Sequence, residues 1–275
     1  MSLEGKCIGF IGGGAMAEAL IGGLRTAGVD AERIVAADPD PARRKHLEER
    51  IGIRTSADNA EVARAADLVV LAVKPSVVGP VLQALRADEG VDTTRPLWIS
   101  IAAGVTLTSL AAGLGAAARI VRAMPNTPAL VGAGATAVCG SAGVGPEDRS
   151  AARALFDGVG LTWEAPEEGL LDAVTGLSGS GPAYVFVFLE ALGDAGVGMG
   201  LPRDAADRLA FQTVFGAVKL AQETGRHPAE LRDQVSSPGG TTLAGLERLE
   251  AGGLRAAVRE AVAAATRRSR ELGGG

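Results

Sequence analysis

Histidine and cysteine are scarce: of 275 residues only His46, His227, Cys7 and Cys139 belong to these types. His46 lies in the charged run PARRKHLEER and His227 precedes a proline in a polar turn, so neither is placed to act as a general acid. Each cysteine sits in an apolar run that reads as a buried strand, and two so far apart supply neither a disulfide framework nor a metal-ligand spacing. No metal is expected, and a reducing cytoplasm suits such thiols. The 27 Lys and Arg residues, against 32 Asp and Glu, are scattered, which leaves no electrostatic footprint for nucleic acid. A basic region followed by an apolar stretch and a small-residue cleavage site is missing near Met1, so no secretory signal is expected. Residues 98 to 118 carry no charge, but Ser100, Gly104, Thr106, Thr108, Ser109, Gly113 and Gly115 interrupt them, which suits a strand, a turn and a short helix better than a membrane span. A soluble, cytoplasmic protein is expected, ending in a frayed tail at Gly273 to Gly275.

What the sequence does hold is the balance of a folded protein, 47% hydrophobic and 21% charged, with length enough for two domains. From Lys6 to about Glu168, the apolar runs CIGFI, RIVAAD, DLVVLAV, PLWISIA, ARIVRAM and ATAVCG alternate with helical patterns, which predicts six parallel strands joined by crossover helices. After LTWEAPEE the strand pattern stops. The remainder reads as helices beginning near Leu170, Ala183, Pro202, Thr242 and Leu254. The expected division is therefore an α/β domain over 1–168 and a helical domain over 169–275. Tyr184, Phe186, Phe188, Phe211 and Phe215 are more aromatic surface than a thin bundle hides easily, and as a set they suit an interface between copies.

The run GFIGGGAMA, Gly9 to Ala17, sets Gly12, Gly14 and Ala17 in G-x-G-x-x-A spacing between a strand and a helix. Small residues there let the backbone turn tightly, admit a pyrophosphate and aim a helix N-terminus at it. Asp38 ends the second strand, where a carboxylate accepts from the adenosine ribose hydroxyls of NAD; Arg43 and Arg44 follow within reach of the 2′-phosphate of NADP. The choice of cofactor stays open between the two. Lys74, in LAVKP, stands at the carboxyl edge of the sheet, and Pro75 stops the strand.

Two segments share a second design. Leu177 to Pro182, LSGSGP, and Ser236 to Thr242, SSPGGTT, each place Ser, Gly and Pro before a helix start, which leaves backbone N–H groups and hydroxyls for an anion. A ketone reductase needs an acid for the developing alkoxide. A C=N bond arrives already protonated, so a hydroxyl such as Thr242 that orients the nitrogen suffices, and an imine is the better substrate for a chain so poor in histidine.

The stretches FIGGGAMAEALIGGL, LAVKP, SIAAGV, VRAMPNTPALVGAGATA, VTGLSGSGPAYVF and DQVSSPGGTTLAGL together resemble the Δ1-pyrroline-5-carboxylate reductase family over nearly the whole chain. The resemblance implies an N-terminal Rossmann dinucleotide-binding domain, a helical domain that interlocks with a partner chain in a dimer, and often a decamer assembled from such dimers. It implies hydride transfer from NADPH or NADH to the C=N bond of 1-pyrroline-5-carboxylate, giving L-proline. By position, Ile11, Gly12, Gly13, Gly14, Ala15 and Met16 resemble the pyrophosphate loop. Asn59, Ala72, Val73, Lys74 and Pro75 resemble further cofactor contacts, and Met124 and Asn126 neighbours of the nicotinamide. Ser237, Gly239, Gly240 and Thr241 resemble a carboxylate cradle, and Thr242 the hydroxyl beside the ring nitrogen. Asp38 departs from the Asn or Ser that many relatives carry. Two other readings remain: a β-hydroxyacid dehydrogenase, which would need Lys219 as its catalytic lysine, and a non-catalytic dinucleotide-binding redox sensor.

Overall fold

In the computed structural model, which describes residues 3 to 274, the first apolar run folds as β1 (Ile8–Ile11), every residue buried. The chain then alternates through α1 (Ala15–Thr26), β2 (Ile34–Ala37), α2 (Pro41–Ile51), β3 (Arg54–Ser56), α3 (Asn59–Ala65), β4 (Leu68–Leu71), α4 (Pro75–Ala87), β5 (Leu97–Ser100), α5 (Leu107–Leu114) and β6 (Arg119–Met124). A 3-10 segment, Thr127–Val131, leads into β7 (Gly134–Gly140), α6 (Pro146–Asp157), β8 (Gly160–Glu164) and α7 (Leu170–Val174). All eight strands form one sheet in the order β3-β2-β1-β4-β5-β6-β7-β8. The strand order reverses between β1 and β4, and a doubly wound sheet takes ligands at the carboxyl ends beside such a switch point.

Period-two alternation divides the core between the two faces. Ile8 and Phe10 pack with Leu20, Leu24, Leu47 and Phe156 on one side, while Ile11 packs with Val62, Leu82, Trp98 and Leu110 on the other. Burying each of these large side chains contributes about 1.5–3 kcal/mol. Trp98 is wholly buried because its indole N–H donates to the Thr93 carbonyl at 2.8 Å.

The sheet corrects the expectation of six parallel strands. β3 reads Arg-Thr-Ser and lacks any apolar residue, so only its edge pairing with β2 reveals it. In β8, Leu161 is 72% exposed while Thr162 is buried, the reverse of the usual inward pattern. β7 runs antiparallel to β6, because the short link between them has no room for the crossover helix that a parallel return needs. Cys139 is buried in β7, and burial pushes its thiol pKa up; Cys7 is only half-buried and precedes β1. Gly273 is not frayed, since its N–H bonds the Ser269 carbonyl at 3.0 Å; Gly275 lies outside the described residues. No helix of the described residues is long and apolar enough to cross a membrane.

The remaining helices are α8 (Gly181–Gly198), α9 (Arg203–Thr224), α10 (Pro228–Gln234), which the sequence pattern did not reveal, α11 (Thr241–Ala251) and α12 (Leu254–Leu272). The chain separates into two compact units. One holds residues up to Ser180 together with those from Ala264 onward, and the other is Gly181–Ala263. The contacts thus group α7 with the sheet, whereas the composition change falls at 168. In the helical unit Phe186, Val187, Phe211 and Phe215 are all more than half exposed, while the buried positions on α9 are Ala206 and Ala210. Large apolar side chains outside and alanines inside mark an association surface.

Candidate active site

The glycine loop follows from the closeness of two strand ends. Gly12 has φ +95°, its N–H bonds the Ala37 carbonyl at 2.8 Å, and a Cβ there would stand 2.7 Å from the Ala72 carbonyl oxygen. Only glycine fits. Gly14, the N-cap of α1, has nothing within 4 Å of its would-be Cβ, so the N-terminus of α1 faces open space where an anion is favoured. Ile11 closes β1, buried, and Ala15 and Met16 open α1.

Asp38 follows β2 and bears on this loop directly. Its Oδ2 accepts from the Gly13 N–H at 2.8 Å and its Oδ1 from the Asp40 N–H at 2.9 Å. Arg43 donates through Nε to the Gly13 carbonyl and pairs with Glu18; Arg44 donates to the Asp38 carbonyl at 2.7 Å. Neither arginine is the loosely solvated residue that its position on a charged helix suggests. Glu18 also receives His46 at 3.0 Å. Burial opposes its charge, but hydrogen bonds from His46 and Arg43 outweigh that and hold its carboxyl below the usual range.

The other cofactor candidates collect along the same edge. Ala72 and Val73 follow β4, with the Ala72 N–H on the Ile11 carbonyl at 2.8 Å; Lys74 is the exposed N-cap of α4 and Pro75 its first residue. Asn59 opens α3 just after β3, behind the Asp58 cap. Met124 ends β6, and Asn126 follows it, 8% exposed. Its carboxamide is used within the chain: Nδ2 donates to the Ser178 carbonyl at 3.0 Å and Oδ1 accepts from the Ala135 N–H at 2.8 Å. Neither the role of Glu18 nor these bonds leaves a periodic signal in the sequence, so neither is legible there.

Within the helical unit, Ser236 to Thr242 links α10 to α11. Ser237 and Gly240 close a turn, Gly240 N–H to Ser237 carbonyl at 2.9 Å, and Gly239 has φ +70°. Gly240 is the N-cap of α11 and makes no side-chain cap, so the first-turn N–H groups of Thr241, Thr242 and Leu243 stay open. Among the described residues the hydroxyls of Ser237, Thr241 and Thr242 have no partner within the chain. Free amides and three hydroxyls at one positive helix end suit a carboxylate. The companion segment LSGSGP differs from its expected form. Thr175–Gly179 is a π turn, and the Ser180 N–H is spent on the Thr175 carbonyl at 2.8 Å, so this is not an open helix N-terminus. Lys219 stands on α9, exposed and paired with Glu223 at 3.6 Å.

Residues 168–272 match the family described as pyrroline-5-carboxylate reductase dimerisation, and residues 7–104 match NADP oxidoreductase, coenzyme F420-dependent. A pyrroline-5-carboxylate reductase of Synechocystis is 50% identical, covering 97% of this chain and 98% of its own. The chain belongs to the pyrroline-5-carboxylate reductase family. Solved reductases of this family agree in fold: that of Coxiella burnetii has a TM-score of 0.91 at 40% identity, covering 97% of this chain and 98% of its own. That of Plasmodium falciparum, with NADP bound, has a TM-score of 0.87 at 34% identity, over 98% and 99%. The chain accordingly joins an N-terminal α/β dinucleotide-binding domain to the family's helical dimerisation domain.

Proposed function

We infer that this chain reduces 1-pyrroline-5-carboxylate to L-proline, the last step of proline biosynthesis, as an NAD(P)H-dependent oxidoreductase acting on a C=N bond. The observation that carries this is the end-to-end identity with pyrroline-5-carboxylate reductases. Reduction adds a hydride to the imine carbon, C2 of the pyrroline ring, and a proton to nitrogen. A cyclic imine takes up that proton before the hydride arrives, which agrees with a site that offers hydroxyls and amides but no histidine.

A nicotinamide, when bound, supplies the hydride. The residues from Ile11 to Met16 receive the pyrophosphate, with the α1 N-terminus and the open face at Gly14 supporting that role. Asn59, Ala72, Val73, Lys74 and Pro75, which follow β3 and β4, serve as further cofactor contacts, and Met124 and Asn126, at and just after the end of β6, as neighbours of the nicotinamide. Asp38 receives the ribose hydroxyls, and its charge, held beside the Gly13 N–H, disfavours a 2′-phosphate. NADH and NADPH both serve, and Asp38 tips the balance toward NADH. Ser237, Gly239, Gly240 and Thr241 cradle the substrate carboxylate, and Thr242 orients the ring nitrogen. The chain works as a homo-oligomer built through its dimerisation helices, as a dimer or a decamer assembled from such dimers, a reading that the exposed Phe186, Phe211 and Phe215 support.

The test is loss of NAD(P)H absorbance on adding 1-pyrroline-5-carboxylate, with proline identified as product. Turnover at nanomolar to micromolar enzyme is expected with both cofactors. Cofactor binding without turnover would overturn the reading.

A further inference from the structure

We propose that Asn126 is a positioning residue, which fixes the π turn Thr175–Gly179 against the end of β6 and so sets the geometry of hydride transfer without itself touching the reactants. This rests on the reductase reading above.

The need for it is written in the sequence. In an α-helix the Ser178 carbonyl would accept from the N–H four residues on, but that residue is Pro182, which has none. The chain passes this point as a π turn, with the Ser180 N–H bonded five residues back to Thr175. Asn126 supplies the donor that proline withholds: its Nδ2 lies 3.0 Å from the Ser178 carbonyl oxygen. Its Oδ1 is occupied at the same time by the Ala135 N–H at 2.8 Å, so the carboxamide joins the loop after β6, the start of β7 and the π turn.

A second contact ties the same segments. The Met124 methyl rests on Gly179 so closely that a Cβ there would stand 2.9 Å from Met124 Cε. Met124 and Asn126 therefore hold the π turn from two points at the carboxyl edge of the sheet, where ligands of doubly wound folds react. Buried at 8% exposure and bonded at both ends, Asn126 has little left to offer a cofactor directly. Its effect on rate is through placement, to which hydride transfer is sensitive: a displacement near 1 Å can cost about a hundredfold.

The test compares wild type, Asn126→Ala, Pro182→Ala and the double variant, with KM for NADH and kcat measured in each. Asn126→Ala is expected to lower kcat about 10- to 100-fold while KM for NADH moves less than about threefold. In the Pro182→Ala background the residue 182 N–H can reach the Ser178 carbonyl, and the same Asn126→Ala change should cost much less. A KM that rises while kcat holds would make Asn126 a direct cofactor contact; an equal kcat loss in both backgrounds would break the link to Ser178. Either result overturns the proposal. Asn126→Asp, which keeps the Ala135 contact and removes the donor, replaces Asn126→Ala if that variant does not fold, with the same split between kcat and KM expected. Should wild type not reduce 1-pyrroline-5-carboxylate, the reductase reading falls by itself, and amide hydrogen exchange across residues 175–185 still decides: faster in Asn126→Ala and restored in the double variant if the proposal holds, unaffected if it does not.

Discussion

Two glycines of the same loop should fail in opposite ways when changed to alanine. Gly12 has φ +95°, and its added Cβ would meet the Ala72 carbonyl oxygen at 2.7 Å, about 0.7 Å inside ordinary contact. Neither side can yield easily, since the Gly12 N–H is bonded to Ala37 and the Ala72 N–H to Ile11, both at 2.8 Å. The left-handed backbone costs about 1–2 kcal/mol for any residue with a Cβ, and the overlap roughly a further 1–3 kcal/mol. At about 2–4 °C per kcal/mol for a unit of this size, Gly12→Ala should melt roughly 5–20 °C lower. Gly14→Ala meets nothing within 4 Å and should cost the fold only about 0.5–1 kcal/mol, the preference for Gly over Ala at this N-cap position. On the proposed cofactor site its methyl enters the space that would take the pyrophosphate, and it should weaken NADH binding about tenfold or more, which is about 1.4 kcal/mol. Thermal melts followed by circular dichroism, with NADH fluorescence titrations of each variant, separate the two effects. If Gly14→Ala melts as low as Gly12→Ala, or Gly12→Ala melts like wild type, the steric argument is wrong.

With Asp38 opposing a 2′-phosphate as proposed, Asp38→Asn should raise the ratio of kcat/KM for NADPH to that for NADH about tenfold or more; an unchanged ratio would leave Asp38 with only its Gly13 and Asp40 bonds to explain it. Thr242→Ala should lower kcat/KM about tenfold or more, whereas Lys219→Ala breaks only an exposed pair with Glu223 and should keep most activity; the reverse pattern would favour a dehydrogenase that uses the lysine. Thr162 Oγ1 is buried with no partner among the described residues, so Thr162→Val should raise stability by about 1 kcal/mol in urea unfolding, and a loss would refute that. Because the folded carboxyl of Glu18 titrates below its unfolded value, its contribution is present near neutral pH and lost as the pH falls through the carboxylate range; the urea-midpoint gap between wild type and Glu18→Gln should close between about pH 7 and about pH 3, and a gap independent of pH would contradict it.

What was legible in the sequence was whatever apolar periodicity or a glycine spacing records. β1, β2, β4, β5 and β6 are fully or mostly buried runs, and they stand where those runs predict. The glycine loop and the Ser236–Thr242 turn were found because small residues before a helix serve a steric purpose that spacing reveals. β3 was invisible, since an edge strand of Arg54, Thr55 and Ser56 owes its form to its neighbour and not to its own hydrophobicity. LSGSGP is ambiguous for a related reason: serine and glycine before a proline mark a cap and a π turn alike, and only the Thr175–Ser180 bond tells them apart. Long-range polar contacts such as Asn126 to Ser178 join residues 52 apart and leave no local trace.

The residues from Ala264 onward belong with the sheet, not with the helices that precede them. The helical unit is thus an insertion, leaving the α/β unit after Ser180 and rejoining it through the last turns of α12, where Ser269 donates to Asp172 at 2.6 Å. A module anchored at both ends cannot be shed by fraying from a terminus, and it cannot pass to another chain as a free arm. Whatever assembly its exposed phenylalanines form, each copy enters as a closed loop pinned at two points to its own dinucleotide-binding unit.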